Sequence, residues 1–350
     1  MPVYKEPTKR SYFVKLNYTD EHGKNRNTTK RGFKSSKEAK AWEKEYWKKT
    51  DFHLDMTFQS LYELYMEDME VRLRLSTYES KKHIFRSKIL PHFASKQVNQ
   101  IKPHDIRIWQ NKLLQSGYKP TYLKCINNQL VALFNYAVRF YNLSENPCHK
   151  AGSMGKKHAT EMGFFTREEF HQFIQVIEDP TDYLGYTILY WTGMRIGELL
   201  ALTPNDIDFE NNIISVNHSY QRIKGEDVIT EPKTEKGKRK IKVHVSLIKL
   251  IQEYLKLHYK IKPSQRIFPF TKHKFEHTMP TYCENAKLKR IRVHDLRHSH
   301  ASLLIEQGIQ PIVIAKRLGH EKIQTTLDTY GHMYPQKDDE VAELLQELSI

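Results

Sequence analysis

The hydrophobic pattern changes its period near residue 50, and that change limits the fold more than any other feature of the chain. In "SYFVKLNY", Tyr12, Val14, Leu16 and Tyr18 alternate with Phe13, Lys15 and Asn17. Such alternation sends one set of side chains to each face of a strand. The stretch "DEHGK" then places Gly23, able to take positive φ, ahead of a basic strand around Asn25 to Lys30. After Gly32 and Phe33, Ser35 and Glu38 stand at capping-box spacing, and Trp42 and Tyr46 share a helical face. Residues 1–50 therefore read as a three-stranded sheet backed by one helix. Its basic face suits a DNA major groove, with Lys15 and Asn17 as candidate contacts, although an ordinary solvated basic face fits the same pattern.

Beyond a hinge at "KKTDFHLD", apolar residues recur at helical spacing. Thr57 offers an N-cap ahead of Leu61, Leu64 and Tyr65. "STYESKKHIFRSKILPHF" predicts a second helix that Pro91 should end. "KPHDIRIWQNKLLQSG" predicts a third, closing at Gly117, and "PTYLKCINNQLVALFNYAVRFY" a long fourth. Residues 56–150 thus form a four-helix domain carrying Lys81, Lys82, Arg86, Lys88 and Lys124. Each cation alone is an ordinary surface charge; as a set they favour DNA, with Lys81, Lys82, Arg86 and Lys124 the candidate contacts. "NPCHKAGSMGKKHAT" reads as an exposed linker. Thr166 and Glu169 then form a capping box that opens a third domain, residues 160–350. It is mostly helical, with short strands in "NNIISVNHSYQ" and "KRKIKVHV". The fold class is mainly α with small β elements.

Charge narrows the partner. Lysine and arginine total 56 against 41 acidic residues, a formal charge of +15. That excess suits a polyanion, because each phosphate neutralised releases condensed counterions. Cys125, Cys148 and Cys283 are odd in number and widely spaced, so neither a disulfide framework nor a CxxC metal knuckle is available, and a reducing cytoplasm is the natural setting. No apolar run approaches the roughly 18 residues of a membrane span. The start "MPVYKEPTKR" lacks the apolar core of a signal peptide. The expectation is a soluble cytoplasmic protein with no membrane partner.

The residues that carry chemistry gather after residue 160. In "TGMRIGELL", Thr192 and Gly193 break one helix and Arg195 sits in the first turn of the next, where free N–H groups favour an anion. In "TEPKTEKGKRKIKV", Lys233 precedes a turn at Gly237 between two strands, at a hairpin tip or edge. In "RVHDLRHSHAS", His294 and Arg297 are three apart and share a helical face. "LGHEKIQTTLDTYGHMYP" holds His320 and, ten residues later, Tyr330. His294 and His298 also stand four apart, as in a zinc helix. Zinc hydrolases of that type need HExxH, and Asp295 in the second position is too short to reach a metal-bound water in the same way, which disfavours a metal site.

In order and spacing these features resemble the tyrosine recombinases, the phage-integrase type of site-specific recombinase. The family carries an Arg in a TGxRxxEL-like helix start, a Lys on a β-hairpin, an HxxR pair, an LGH turn and a Tyr about ten residues on. Arg195 with Glu198, Lys233, His294 with Arg297, His320 and Tyr330 stand here in that order. The resemblance is strongest over the catalytic domain. By architecture it extends to a SAM-like core-binding domain and to an N-terminal arm-binding domain. It implies a double-stranded DNA partner, with core and arm sites in attachment DNA. It also implies that Tyr330 attacks phosphorus to give a 3′-phosphotyrosine. The bond energy is kept, so no ATP or other cofactor is implied. Arg195 and Arg297 would clamp the non-bridging oxygens, and His320 would add a donor. Lys233 would protonate the leaving 5′ oxygen, and His294 would help accept the tyrosine proton. Glu198 would be a buried partner that orients these groups.

Alternatives stand beside several of these assignments. Tyr334 competes with Tyr330, which the "TLDTY" context favours. Lys236, Lys238 and Lys240 crowd the turn beside Lys233, which the "PKT" context favours. His298 and His300 read as helix residues that touch the DNA backbone or the packed interior. The tail "KDDEVAELLQEL" puts Val341, Leu344, Leu345 and Leu348 on one face. That face either closes its own core or, as the resemblance implies, packs on a neighbouring protomer of a homotetramer on synapsed DNA. A host DNA-bending protein and an excisionase are further partners the resemblance brings in. A chromosome-dimer-resolving recombinase is a rival that residues 1–50 argue against. A DNA-binding regulator without chemistry is another, opposed by the presence of every catalytic residue type.

Overall fold

A computed structural model describes residues 3–5, 11–19, 25–49, 55–157, 163–232, 234–257, 261–333 and 346. The chain divides into two compact units, Met1–Thr160 and Glu161–Ile350.

In the first unit, strands Val3–Lys5, Tyr12–Thr19 and Asn25–Phe33 form an antiparallel sheet in that order. Val14 and Leu16 are buried and Lys15 between them is exposed, as the period-two pattern requires. Tyr12 pairs with Phe33 but Val14 with Lys30, so the third strand carries an extra residue; Gly32, at φ +91°, makes that bulge. Ser35 Oγ accepts the Glu38 N–H at 3.1 Å and starts the helix Ser36–Lys49. The turn expected at Gly23 and most of the expected hinge lie outside the described residues. Val14, Leu16 and Phe33 share one buried cluster with Met56, Phe58 and Phe134 of the following helices. Within it the Ser60 hydroxyl donates to the Glu43 carboxylate at 2.8 Å.

Those helices include Phe58–Arg72, capped by the Thr57 side chain, then Leu75–Ile84, Pro103–Leu114 and Pro120–Phe140. Pro91 does not end the second of them. The chain continues through a π-helical turn, Phe85–Ile89, into Leu90–Phe93, with the Leu90 N–H bonded to the Phe85 carbonyl. The wider turn shifts the hydrogen-bond register just before the proline, which makes room for a ring with no N–H. The stretch read as an exposed linker is also folded in part. Asn146 caps the short helix Pro147–Ala151, and Pro147, Cys148 and Ala151 are buried. Their apolar side chains fill the core although small and polar residues surround them in sequence.

In the second unit, the Thr166–Glu169 capping box opens Arg167–Gln175, with its two bonds at 2.8 and 3.2 Å. Strands Ile207–Asp208, Ile213–Val216 and Arg239–Lys242 form one small sheet. Ser219–Ile223 and Glu226–Thr230 form a separate hairpin, turning through Lys224 and Gly225, both at positive φ. Lys233, expected at a hairpin tip or edge between two strands, lies outside the described residues, and strands Glu226–Thr230 and Arg239–Lys242 are not each other's partners. The reason is packing: Ile241 pairs with Ile214, and both are buried, which draws the later strand into the core sheet. Helices Val245–Leu257, Lys272–Asn285, Asp295–Glu306, Pro311–Leu318 and Ile323–Tyr330 follow. Among the described residues no helix is long and apolar enough to cross a membrane. Tyr334 and the tail with Val341, Leu344, Leu345 and Leu348 lie outside the described residues.

Candidate active site

The site begins with a helix that stops. Pro180–Thr192 ends at Gly193, whose φ of +64° is a left-handed conformation that glycine takes without penalty. A Cβ there would lie 2.7 Å from both His300 Cδ2 and Leu318 Cδ2, so the backbone passes where no side chain fits. The turn delivers Arg195 to the N-cap of the helix Ile196–Ala201, one step short of the expected first turn. The Arg195 backbone N–H and one guanidinium nitrogen both donate to Glu198 at 2.9 Å. The guanidinium stays partly open to solvent while Glu198 is buried.

Glu198 also accepts from Arg239 at 2.8 Å. Burial alone would raise its carboxyl pKa, but Arg239 and then Arg195 hold it below the usual range. Arg239 Nε donates to the Arg317 carbonyl at 2.7 Å. The Arg317 guanidinium in turn donates to His300 Nε2 at 3.0 Å and to the Trp191 carbonyl at 3.1 Å. Arg239 and Arg317 are functional neighbours that the sequence pattern does not single out, because both sit in basic runs that look like solvated surface. A signal existed for Arg239, which period two places on the same strand face as buried Ile241.

The helix Asp295–Glu306 supplies the next groups. Its Asp295 carboxylate is occupied by Arg292, accepting the backbone N–H at 2.8 Å and the guanidinium at 2.7 Å. Arg297 is buried and donates to the carbonyls of Gly193 and Leu318, both at 2.8 Å, which leaves its other donors for an anion. Burial, then the charge of Arg195, lower its pKa to about 9, so it is charged at neutral pH.

His320 follows the left-handed Gly319 and its Nδ1 lies 2.8 Å from the hydroxyl of buried Thr326. With that hydroxyl as donor, the ring proton sits on Nε2, which becomes a donor itself. Burial, then Arg297 and Arg195, lower the His320 pKa to about 4, so the ring is neutral at pH 7.

Tyr330 ends the helix Ile323–Tyr330 with 2% of its surface exposed. Burial raises its pKa to about 12 against the opposing pull of Arg297 and Arg195. Its hydroxyl lies 2.8 Å from His298 Nδ1. The hydrogen-bond partner of Tyr330 is therefore His298, the residue the sequence pattern ranks second, and not His294. The ring of His294 stands edge-on to that of His298, 5.4 Å between centroids. His294 keeps an exposed edge, yet burial of the rest of the ring, then His298 and Arg297, lower its pKa well below the usual imidazole range. His300 is packed in the interior beneath Gly193.

Arg195, His294, Arg297, His320 and Tyr330 thus come together. Lys233 lies outside the described residues. In the same connection, Lys236 Nζ donates to the Glu321 carbonyl at 3.0 Å, beside the LGH turn, and Lys238 pairs with Glu231 at 2.7 Å.

The cations of the first unit are placed differently. Lys15 is exposed on its strand; the side chain of Asn17, two residues on, is outside the described residues. Arg86 is exposed, Lys82 lies over the Tyr78 ring at 5.3 Å, and Lys124 donates to Ser153 Oγ at 2.6 Å. Lys81 is drawn inward, donating to the Tyr65 hydroxyl at 2.8 Å and to Gln129 Oε1 at 2.7 Å, and burial lowers its pKa.

The sequence matches the phage integrase family over residues 163–337, the N-terminal SAM-like domain of phage integrases over 57–114 and an arm DNA-binding domain over 2–50. The ICEBs1 integrase of Bacillus subtilis (strain 168) is 33% identical over 310 residues, covering 84% of this chain and 83% of that protein. The integrase of transposon Tn1549, solved in complex with transposon right end DNA, has a TM-score of 0.69 at 23% identity, over 83% of this chain and 99% of that one. A lambda integrase tetramer bound to a Holliday junction gives 0.59 at 16% identity, over 92% of this chain and 96% of that one. Both solved structures share the fold.

Proposed function

Because this chain belongs to the phage integrase family of site-specific tyrosine recombinases, we propose that it cleaves and rejoins double-stranded DNA through a 3′-phosphotyrosine on Tyr330. It integrates and excises a phage or mobile element between attachment sites. The observation that carries this reading is the convergence of two fixed guanidiniums on a buried tyrosine. When the Tyr330 oxygen attacks phosphorus, charge builds on the non-bridging oxygens. Arg195, held by Glu198, and Arg297, held by two carbonyls, meet that charge with donors aimed before DNA arrives. Neutral His320 adds an N–H, and His294 stands beside His298 in the same group of residues. The departing 5′ oxygen needs a proton, which we assign to Lys233 from the family pattern, with Lys236 as the nearby substitute. The phosphotyrosine keeps the bond energy for rejoining, so the cycle needs no ATP.

The three regions divide the DNA between them. Residues 1–50 bind arm sites through Lys15 and Asn17. The helical domain, residues 56–150, binds the core site through Lys82, Arg86 and Lys124, whereas Lys81, tied to Tyr65 and Gln129, stands apart from that set. Residues 160–350 cut. The working assembly is a homotetramer on two synapsed duplexes in the bacterial cytoplasm, a reading supported by the tetramer of lambda integrase on a Holliday junction. A host DNA-bending protein and an excisionase complete it.

A suicide substrate nicked beside the cleavage site tests the chemistry. Wild type accumulates a covalent protein–DNA adduct even in chelator, and Tyr330→Phe binds the same DNA and forms none. An adduct in that variant would move the nucleophile to Tyr334, and loss of the wild-type adduct on chelation would bring back a metal.

A further inference from the structure

A buried tyrosine hydroxyl usually takes a hydrogen-bond partner, and the kind of partner is informative. Tyr186, in the core of the same unit, gives its hydroxyl to the Phe275 carbonyl at 2.7 Å. A carbonyl accepts a hydrogen bond and nothing more. Tyr330 instead faces an imidazole nitrogen at 2.8 Å, a group that can take the proton itself. We propose that His298 is the catalytic proton acceptor for Tyr330, removing the phenol proton as the nucleophile attacks and returning it when the strand is rejoined. This rests on the reading of Tyr330 as nucleophile, and it moves the acid–base role from His294 to the residue after the HxxR arginine.

The surroundings keep His298 ready for that work. Burial first lowers its pKa; Asp295 opposes this, and Arg292 and Arg297 add to it. The ring is neutral at pH 7, and with its proton on Nε2 the Nδ1 lone pair accepts the Tyr330 hydroxyl, where a base needs it. Among the described residues, the titratable and charged groups facing it are Tyr330 from the Ile323–Tyr330 helix, His320 from the preceding turn, and His294, Asp295, Arg292 and Arg297 from its own helix and the approach to it.

The steps balance. In cleavage, the bond from Tyr330 Oη to phosphorus forms, the bond from phosphorus to O5′ breaks, the phenol proton moves to His298 Nδ1, and O5′ takes a proton from the general acid. In rejoining, the 5′ hydroxyl returns its proton to the deprotonated general acid as it bonds to phosphorus, the tyrosyl–phosphorus bond breaks, and the His298 imidazolium returns its proton to the phenol oxygen. In the resting protein the phenol is far less acidic than the imidazolium, so transfer accompanies attack, when the oxygen is losing charge to phosphorus. His294 fits a different place. Its ring meets His298 rather than the hydroxyl, and its exposed edge is open to DNA.

The test is the pH profile of adduct formation on the suicide substrate. Wild type should lose rate on the acid side as His298 becomes protonated. His298→Ala should be slower by about a hundredfold at pH 7, lack that acid limb, and gain rate as pH rises toward phenol ionisation. His298→Gln keeps an acceptor for the hydroxyl but no usable base, and should bind DNA normally yet stay slow. Difluorotyrosine at position 330, a more acidic phenol, should recover much of the His298→Ala loss. Wild-type rates in His298→Gln, no recovery with difluorotyrosine, or an acid limb erased by His294→Ala and kept in His298→Ala would each overturn the proposal. An adduct in Tyr330→Phe would overturn the nucleophile reading as well, and so separates the two failures.

Discussion

The arginines around the site in the second unit and the candidate DNA-binding lysines of the first are held in different ways. In the second unit, Arg239, Arg297 and Arg317 are sunk into the protein and end on carbonyls or on Glu198. In the first, Lys82 and Lys88 lie over tyrosine rings and Lys124 touches one serine hydroxyl. A planar fork with several donors can be bolted down by backbone and still offer a donor outward, whereas an ammonium on a flexible stem is a point charge that moves to meet a phosphate. The contrast teaches that chemistry at one phosphorus needs fixed donors, while grip along a duplex needs only nearby charge. Lys81 crosses the divide, being in the first unit but tied down as the second unit's arginines are.

The largest effect should come from Arg297→Ala. It removes a donor from the transition state and leaves the carbonyls of Gly193 and Leu318 without their partner. Adduct formation on the suicide substrate should fall by about a thousandfold; a loss under tenfold would dissolve the contrast. Next is Glu198→Ala, which strands Arg239 in the interior and should cost about 3 kcal/mol in urea unfolding. Glu198 is held below the ordinary carboxylate range, so its contribution is complete above that range and disappears as pH falls through the lowered value. The stability gap between wild type and Glu198→Gln should accordingly close in acid, and a gap that widens there would contradict the assignment. The smallest effects separate two lysines of the first unit. Lys124→Ala should reduce the slope of log affinity against log salt by about one, with cleavage at saturating DNA unchanged. Lys81→Met should leave that slope alone, and a fall equal to that of Lys124→Ala would make Lys81 a phosphate contact after all.

Much of this was legible because it depends on short-range patterns. Thr57, Ser35 and the Thr166–Glu169 pair cap the helices they were expected to cap. Val14 and Leu16 face inward with Lys15 outward. The spacing of Arg195, His294, Arg297, His320 and Tyr330 carried the site, since each falls at a turn or helix end whose geometry is local. What escaped depends on contacts between distant segments. Nothing near His298 shows that Tyr330, on another helix, will present its hydroxyl to it. Arg239 and Arg317 resemble surface charge until their carbonyl and carboxylate partners are brought round. Pro91 reads as a helix end because the sequence does not announce that a π turn will absorb it. Strands Glu226–Thr230 and Arg239–Lys242 read as one hairpin because the pairing of Ile241 with Ile214 is decided by the core and not by the neighbouring strand.

The two carbonyls behind Arg297 come from segments 104 and 21 residues away along the chain. The guanidinium has a defined position only when the Gly193 turn and the end of the Pro311–Leu318 helix have both docked on its own helix. Competence to cut is therefore a by-product of completed folding: a nascent or half-unfolded chain still carries every reactive side chain but has no fixed arginine. For a site-specific recombinase, that arrangement makes the folded state its own safety catch.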